Sequence, residues 1–266
     1  MGYHLNQGNP LLHSIEIGDS LWAFTRRKDE VYALAAELII SAKTTNPEGY
    51  RYGKYRLWGN LTKSRYFSVT GQPDVSAVIR ALSIKPKGDV TGRAFQGYAA
   101  VRRISQGDHQ ILRAYSQHIP VEPRARILPE ERLEAPIFSG DGDAVSRLIQ
   151  DEPSGLAQER KSYLFEQARA KRSRALVQEL QRLYDNACQI CGWAPMRHYG
   201  VRLCEAHHVH WLSRGGKDDL PNLVLMCPNH HRAIHQCDAQ YDWESSSFAF
   251  PTKYEPIQLS KHDLHP

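Results

Sequence analysis

Four side chains in the C-terminal third are spaced as metal ligands: Cys188 and Cys191 form a Cys-x2-Cys pair, and Cys227 and His230 form a Cys-x2-His pair. A tight turn presents two thiolates to one ion, and a second pair brought in by the fold closes a tetrahedron. Three cysteines and one histidine leave no open position, so this is the donor set of a structural zinc site. Close by lie His207, His208, Asn222, His231 and His235. A helix starting near Pro228 would carry His231 and His235 on one face, since they are four residues apart. His207 and His208 are neighbours on an extended segment, so they point to opposite sides and only one can join that helix pair at an ion. Three imidazoles leave positions open for water and phosphate, as a hydrolytic ion requires. The remaining histidine is then available to accept a proton near neutral pH.

The elements that must position these groups can be read from the pattern around them. Residues 156–184 read as a long helix capped by Ser154, with Leu164, Ala168, Ala175, Leu176, Leu180 and Leu183 as its apolar face and Lys171, Arg172 and Arg174 outward. Residues 121–155 are rich in Pro, Gly, Asp and Glu and read as a connector with two short helical patterns. The first 120 residues are mostly strand: 20–25, 31–41, 55–59 and 65–69 are β-branched or aromatic between Gly, Asn and Pro. A helix is expected after Pro73, through Val75, Val78, Ile79 and Leu82, and another after an Asp108 N-cap. The expected class is therefore α+β, with residues 1–120 as one domain and 156–266 as another.

The segment Cys188–His235 resembles the HNH endonuclease family, whose ββα-metal fold hydrolyses phosphodiester bonds. The resemblance implies that His207, His231 and His235 bind one catalytic divalent ion and that His208 activates the attacking water. It implies that Asn222 orients the loop between two strands and that Glu205 supports the metal-binding histidines from outside. The run GGKDDLPNL matches the family's glycine-rich loop. His230 stands where many zinc-framed members carry cysteine. Imidazole ligands favour Mn, Co, Ni or Zn, while open water positions keep Mg among the candidates.

Between Tyr50 and Phe67, six of 18 residues are aromatic, interleaved with Arg51, Lys54, Arg56, Lys63 and Arg65. Basic groups meet phosphates while aromatic faces stack on unstacked bases. Trp22, Phe24, Trp58 and Tyr66 are the candidate base contacts, and Arg56 and Lys63 the candidate phosphate contacts. The segment IGDSLWAFTR, with VYALAAELII after it, resembles the PUA-like superfamily of barrel-like modules, including EVE and SRA, that flip a modified base into an aromatic cage. A PUA-like reader joined to an HNH domain is similar to the architecture of modification-dependent restriction endonucleases. The partner implied is double-stranded DNA carrying a modified base.

Composition agrees with this class of partner. Residues 43–103 hold 12 Lys/Arg against three acidic residues, whereas the whole 266-residue chain has a formal charge of only +5. No apolar run approaches the roughly 20 residues that cross a bilayer, and the N-terminus lacks the features of a secretory signal, so a cytoplasmic protein is expected. An odd count of five cysteines crowded among histidines argues for metal binding over a disulfide framework. Two other readings remain at this point: a sequence-specific HNH restriction or mobile-element endonuclease, and a non-catalytic DNA-binding regulator. A nuclease that needs two nicks to break both strands is compatible with a homodimer, although no heptad pattern marks its surface.

Overall fold

A computed structural model of the chain describes residues 4–84, 100–122, 128–152, 158–169 and 173–265. It is a mixed helix-and-sheet protein of two compact units. One holds Tyr3–Ser41 and Gly49–Glu122, the other chiefly Ala42–Glu48 and Pro123–Pro266.

The first unit is built on five strands: β1 (His4–Gln7), β2 (Ser20–Arg26), β3 (Tyr32–Thr45), β4 (Tyr55–Gly59) and β5 (Arg65–Tyr66). They are ordered β1-β4-β3-β2, with β5 also paired to β3. The run from Tyr32 onward lacks the strict alternation of a half-exposed strand. β3 is accordingly central, with Ala33, Leu34, Ala36, Leu38 and Ile40 all buried. A register shift between Ala23 and Phe24 interrupts the β2–β3 ladder, and such bulges increase the local twist. Inside this sheet Glu37 is paired with Arg65 at 2.6 Å.

β1 was not foreseen, because HLNQ carries no β-branched residue, and its pairing changes the reading of β4. His4 lies opposite Trp58 and Asn6 opposite Arg56. Trp58 is buried, 3% exposed, with the Arg56 guanidinium 5.2 Å from its ring centre. Arg56 is 4% exposed and donates to Asn6 Oδ1 at 2.8 Å. The expectation that Trp58 stacks on a base and Arg56 meets phosphate is corrected: both are spent inside the sheet.

Helix α1 (Ser76–Ala81) follows Pro73 as expected, and α2 (Gln106–Ser116) follows it. Asp108 is not the N-cap of α2. Ser105 is, and Asp108 returns the hydrogen bond as the third helical residue, a capping box. Asp108 also accepts from Ser83 N at 2.6 Å. Burial pushes its carboxyl up, but the hydrogen bonds from Ser83 and Ser105 outweigh that and bring it down to about 2, from an ordinary 3.8. A carboxylate lowered in the folded state stabilises fully above its unfolded value and loses that contribution as pH falls through the folded value. Asp108→Asn is therefore expected to destabilise by about 1 kcal/mol near neutrality. Urea unfolding should show the gap from wild type closing between pH 4 and pH 2, by order of magnitude from the same linkage; a gap independent of pH would exclude the carboxylate.

Residues 121–155, read as a connector with two short helical patterns, belong to the second unit from Pro123 on. Their described part forms α3 (Glu130–Ser139) and α4 (Gly142–Gln150). Leu133, Ile137, Val145 and Ile149 pack with Leu128, Leu164 and Leu212 in one core cluster. Asp141 caps α4 by accepting from Ala144 N. The expected long helix is described as α5 (Gln158–Arg169) and α6 (Ser173–Leu183). Ser154, Leu156, Lys171 and Arg172 lie outside the described residues, as does the side chain of Ala168. Leu176, Val177, Leu180 and Leu183 line the second core, whereas Ala175 is exposed. That core continues through the hairpin β6 (Glu205–His208) and β7 (Leu223–Met226), helix α8 (Pro228–Cys237) and strands β8 (Gln240–Asp242) and β9 (Ser247–Ala249); α7 (Pro195–Tyr199) and β10 (Tyr254–Pro256), which pairs with β9, complete the unit. No helix among the described residues is long and apolar enough to cross a membrane.

Candidate metal centre

β6 and β7 pair antiparallel, with His207 opposite Val224 and His208 opposite Leu223. Strand alternation sends the two imidazoles to opposite sides, and both are wholly buried. His207 meets the α8 pair: its ring centre lies 5.3 Å from that of His231 and 4.9 Å from that of His235. The Nε2 atoms of His231 and His235 are 3.0 Å apart. The helix thus does what its four-residue spacing requires.

The loop between the strands is closed by Asn222. Its Oδ1 accepts from His210 N at 2.7 Å, and its Nδ2 donates to His210 O at 2.8 Å and to Lys217 O at 2.7 Å. Gly216 is needed because a Cβ there would lie 1.7 Å from His210 O. The Tyr163 hydroxyl also donates to Gly216 O. Glu205 Oε2 sits 2.6 Å from His231 Nδ1, leaving Nε2 to face the cluster.

Three acidic residues were not foreseen here. Glu134 of α3 reaches into the cluster: its Oε2 is 2.7 Å from His231 Nε2 and 3.0 Å from His235 Nε2, and its Oε1 is 3.1 Å from His207 Nδ1. Glu130, one turn earlier, accepts from the backbone N–H of Leu212 and Ser213. Asp218 Oδ1 lies 3.1 Å from His208 Nε2. A signal for two of them was present: Glu130 and Glu134 fall on the same helical face as Leu133 and Ile137, a pattern that puts carboxylates at core positions.

His208, the expected base, is enclosed by these contacts. Its ring stacks on Phe138 at 4.8 Å, with Asp218 at Nε2 and Glu134 Oε1 3.3 Å from Nδ1. Burial lowers its proton affinity, but Asp218 and Glu134 reverse this and raise it to about 9. Burial likewise lowers His207, to about 4, against the pull of Glu134. Burial opposes charge on Glu134 too, yet the surrounding histidines hold its carboxyl well below the usual range. The centre therefore places Glu134, nearly wholly buried, among nitrogen donors of which His231 is partly exposed, and charge interactions are strong at the buried side.

The other four ligands also converge. Cys188, Cys191, Cys227 and His230 bring one donor atom each to within 4.8 Å of the others. His230 Nδ1 is 3.2 Å from Cys227 Sγ and 3.6 Å from Cys188 Sγ. In a tetrahedral zinc site, sulfur and nitrogen sit about 3.5 Å apart. The residues therefore fit a zinc ion. His230 Nε2 faces Glu255 Oε2 at 3.5 Å, an arrangement that orients a ligating imidazole. Burial pushes the Cys188 thiol up to about 12, so a cation is what would favour thiolates there.

Residues 188–236 match the family model described as HNH endonuclease. The chain carries an HNH endonuclease domain. An HNH domain is a phosphodiester hydrolase that works on DNA with a divalent metal, and its segment here contains the hairpin, the helix and both donor sets. Among curated proteins nothing matches. One solved structure, titled as the Type IV phosphorothioation-dependent restriction endonuclease ScoMcrA, is 12% identical with a TM-score of 0.22, over 88% of this chain and 47% of that one. This chain thus spans about half the length of that protein, and a likeness so slight carries no argument about its fold or activity.

The expected DNA contacts of the first unit are placed individually. Trp22 and Phe24 are half-buried against Leu34, Phe67 and Ile119, and Trp22 Nε1 donates to His109 Nδ1 at 3.2 Å. Tyr66 is half-buried and Lys63 exposed. Lys85, Lys87 and Arg93 of the basic stretch lie outside the described residues.

Proposed function

We propose that this HNH endonuclease cuts DNA under the control of its N-terminal unit, which reads a modified base as a PUA-like module would. The observation that carries the nuclease reading is the convergence of His207, His231 and His235 beside a loop clamped by Asn222. A divalent ion held by those histidines would neutralise charge on the scissile phosphate and on the leaving 3′ oxygen. His208 is the group that accepts the proton of the attacking water: the charge of a divalent ion held beside it would draw its raised proton affinity down, while Asp218 holds Nε2. Glu205 orients His231, and Asn222 keeps the loop in register beneath the phosphate. Cys188, Cys191, Cys227 and His230 hold a structural zinc that staples the Cys188–Cys191 turn to the start of α8.

The modified-base reading is supported by the mostly antiparallel sheet of the first unit and by half-buried rings at Trp22, Phe24 and Tyr66. Lys63 is the remaining phosphate contact. Extruding a base costs a few kcal/mol of unstacking, so only a base that matches its pocket is held. One histidine centre of this kind is present among the described residues, so severing both strands calls for two copies of the chain. The experiment is cleavage of paired duplexes, unmodified or carrying methylated, hydroxymethylated or glucosylated cytosine, by the full chain with and without a chelator. Chelator-sensitive cutting that favours one modified duplex is expected. Equal cutting of every duplex would remove the reader and leave the nuclease.

A further inference from the structure

We propose that Glu134, carried by a helix outside the HNH segment, is a fourth ligand of the catalytic ion, making the centre three imidazoles and one carboxylate. The inference rests on the reading of His207, His231 and His235 as ion ligands. Its first support is distance. Glu134 Oε2, His231 Nε2 and His235 Nε2 form a triangle with edges of 2.7, 3.0 and 3.0 Å. Adjacent donors of an octahedral ion with bonds near 2.1 Å lie about 3.0 Å apart, so this triangle has the size of one octahedral face.

The second support is His207, whose Nδ1 lies 3.1 Å from Glu134 Oε1. His207 is wholly buried, and neither of its ring nitrogens finds a well-directed hydrogen bond. Buried polar atoms without such partners mark a missing partner, and His207 lies against the same triangle.

The third is preorganisation. The backbone N–H of His208 donates to Glu134 Oε1 at 3.0 Å, which fixes the carboxylate and aims its other oxygen at the helix pair. Glu134 is itself held in place by α3, whose Leu133 and Ile137 are buried in the adjoining core. A rigid helix is a better platform for a ligand than a loop.

The chemical consequence is selectivity. Imidazole suits Ni, Cu and Zn, whereas carboxylate suits Mg and Mn. Glu134 therefore draws the centre toward harder ions and removes one unit of its positive charge.

The test is isothermal titration of the full chain with Mn(II) alone, comparing wild type, Glu134→Gln and His235→Ala. Both variants are expected to bind at least about tenfold more weakly, the lower end of what even an outer-sphere partner costs. Ni(II) affinity of Glu134→Gln should fall less than Mn(II) affinity. Water-proton relaxation by bound Mn(II) should rise in that variant, as water takes the vacated position. Wild-type or tighter Mn(II) binding by Glu134→Gln with weakened binding by His235→Ala would overturn the ligand and leave the three-histidine reading intact. Wild-type binding by both would overturn the two together. Where Glu134→Gln does not fold, Glu134→Asp keeps the charge and withdraws the oxygen by one methylene; unchanged Mn(II) affinity in that variant would equally overturn the proposal.

Discussion

Cys191→Ser is expected to abolish zinc binding and to unfold the second unit around the β6–β7 hairpin and α8. Structural zinc sites contribute about 10 kcal/mol or more of apparent binding energy in zinc-finger peptides, and there that energy is folding energy. Few domains have so much to lose, since whole domains are stable by about 5–15 kcal/mol. The choice of Cys191 makes the test clean. It is exposed, whereas Cys188 and Cys227 are buried. A serine at an exposed position removes no core packing, and surface changes of that kind are worth within about 0.5 kcal/mol. Collapse of the unit on this substitution would therefore report a lost ligand. Zinc analysis of the purified protein and thermal unfolding of both forms make the comparison. A wild-type melting curve for Cys191→Ser, or active protein without zinc, would refute the structural site.

His208→Ala is expected to lower DNA cleavage by about 10²- to 10⁴-fold, the range a positioned proton acceptor contributes. Zinc content should be unchanged, because the zinc ligands do not include it. Affinity for the catalytic ion should also be retained, in contrast to His231→Ala and His235→Ala, which excess metal should partly rescue. The burial of His208 adds a second expectation. Its removal leaves a cavity against Phe138, so stability should fall by a few kcal/mol, about the cost of truncating a large buried side chain. Cleavage must then be normalised to folded protein. A folded His208→Ala protein that cuts at the wild-type rate would take this residue out of the chemistry.

Much of the metal centre is visible in the amino-acid sequence because its geometry is local. A Cys-x2-Cys turn, two histidines four apart and two histidines side by side each have a placement set by the backbone period alone. Once those elements form, His231 and His235 must share a face, and His207 and His208 must part. The clamp by Asn222 is equally local, spanning 12 residues to His210. Even Ser105 could have been read as the α2 cap, since its partner Asp108 stands three residues on, as a capping box requires.

Residues that meet across long stretches of chain were not readable in this way. Glu134 joins His231 from 97 positions away, and Arg56 meets Asn6 from 50. The sequence marks Glu130 and Glu134 only as carboxylates on an apolar helical face; which helix end they approach depends on how α3 packs. Trp58 and Arg56 carry the composition of a nucleic-acid surface, yet the pairing of β1 with β4 turns them inward. Residue type and period determine which groups can do chemistry and which neighbours share a face. Whether a ring or a charge ends in the core or at the centre was decided by tertiary packing, because burial depends on partners that no local spacing names.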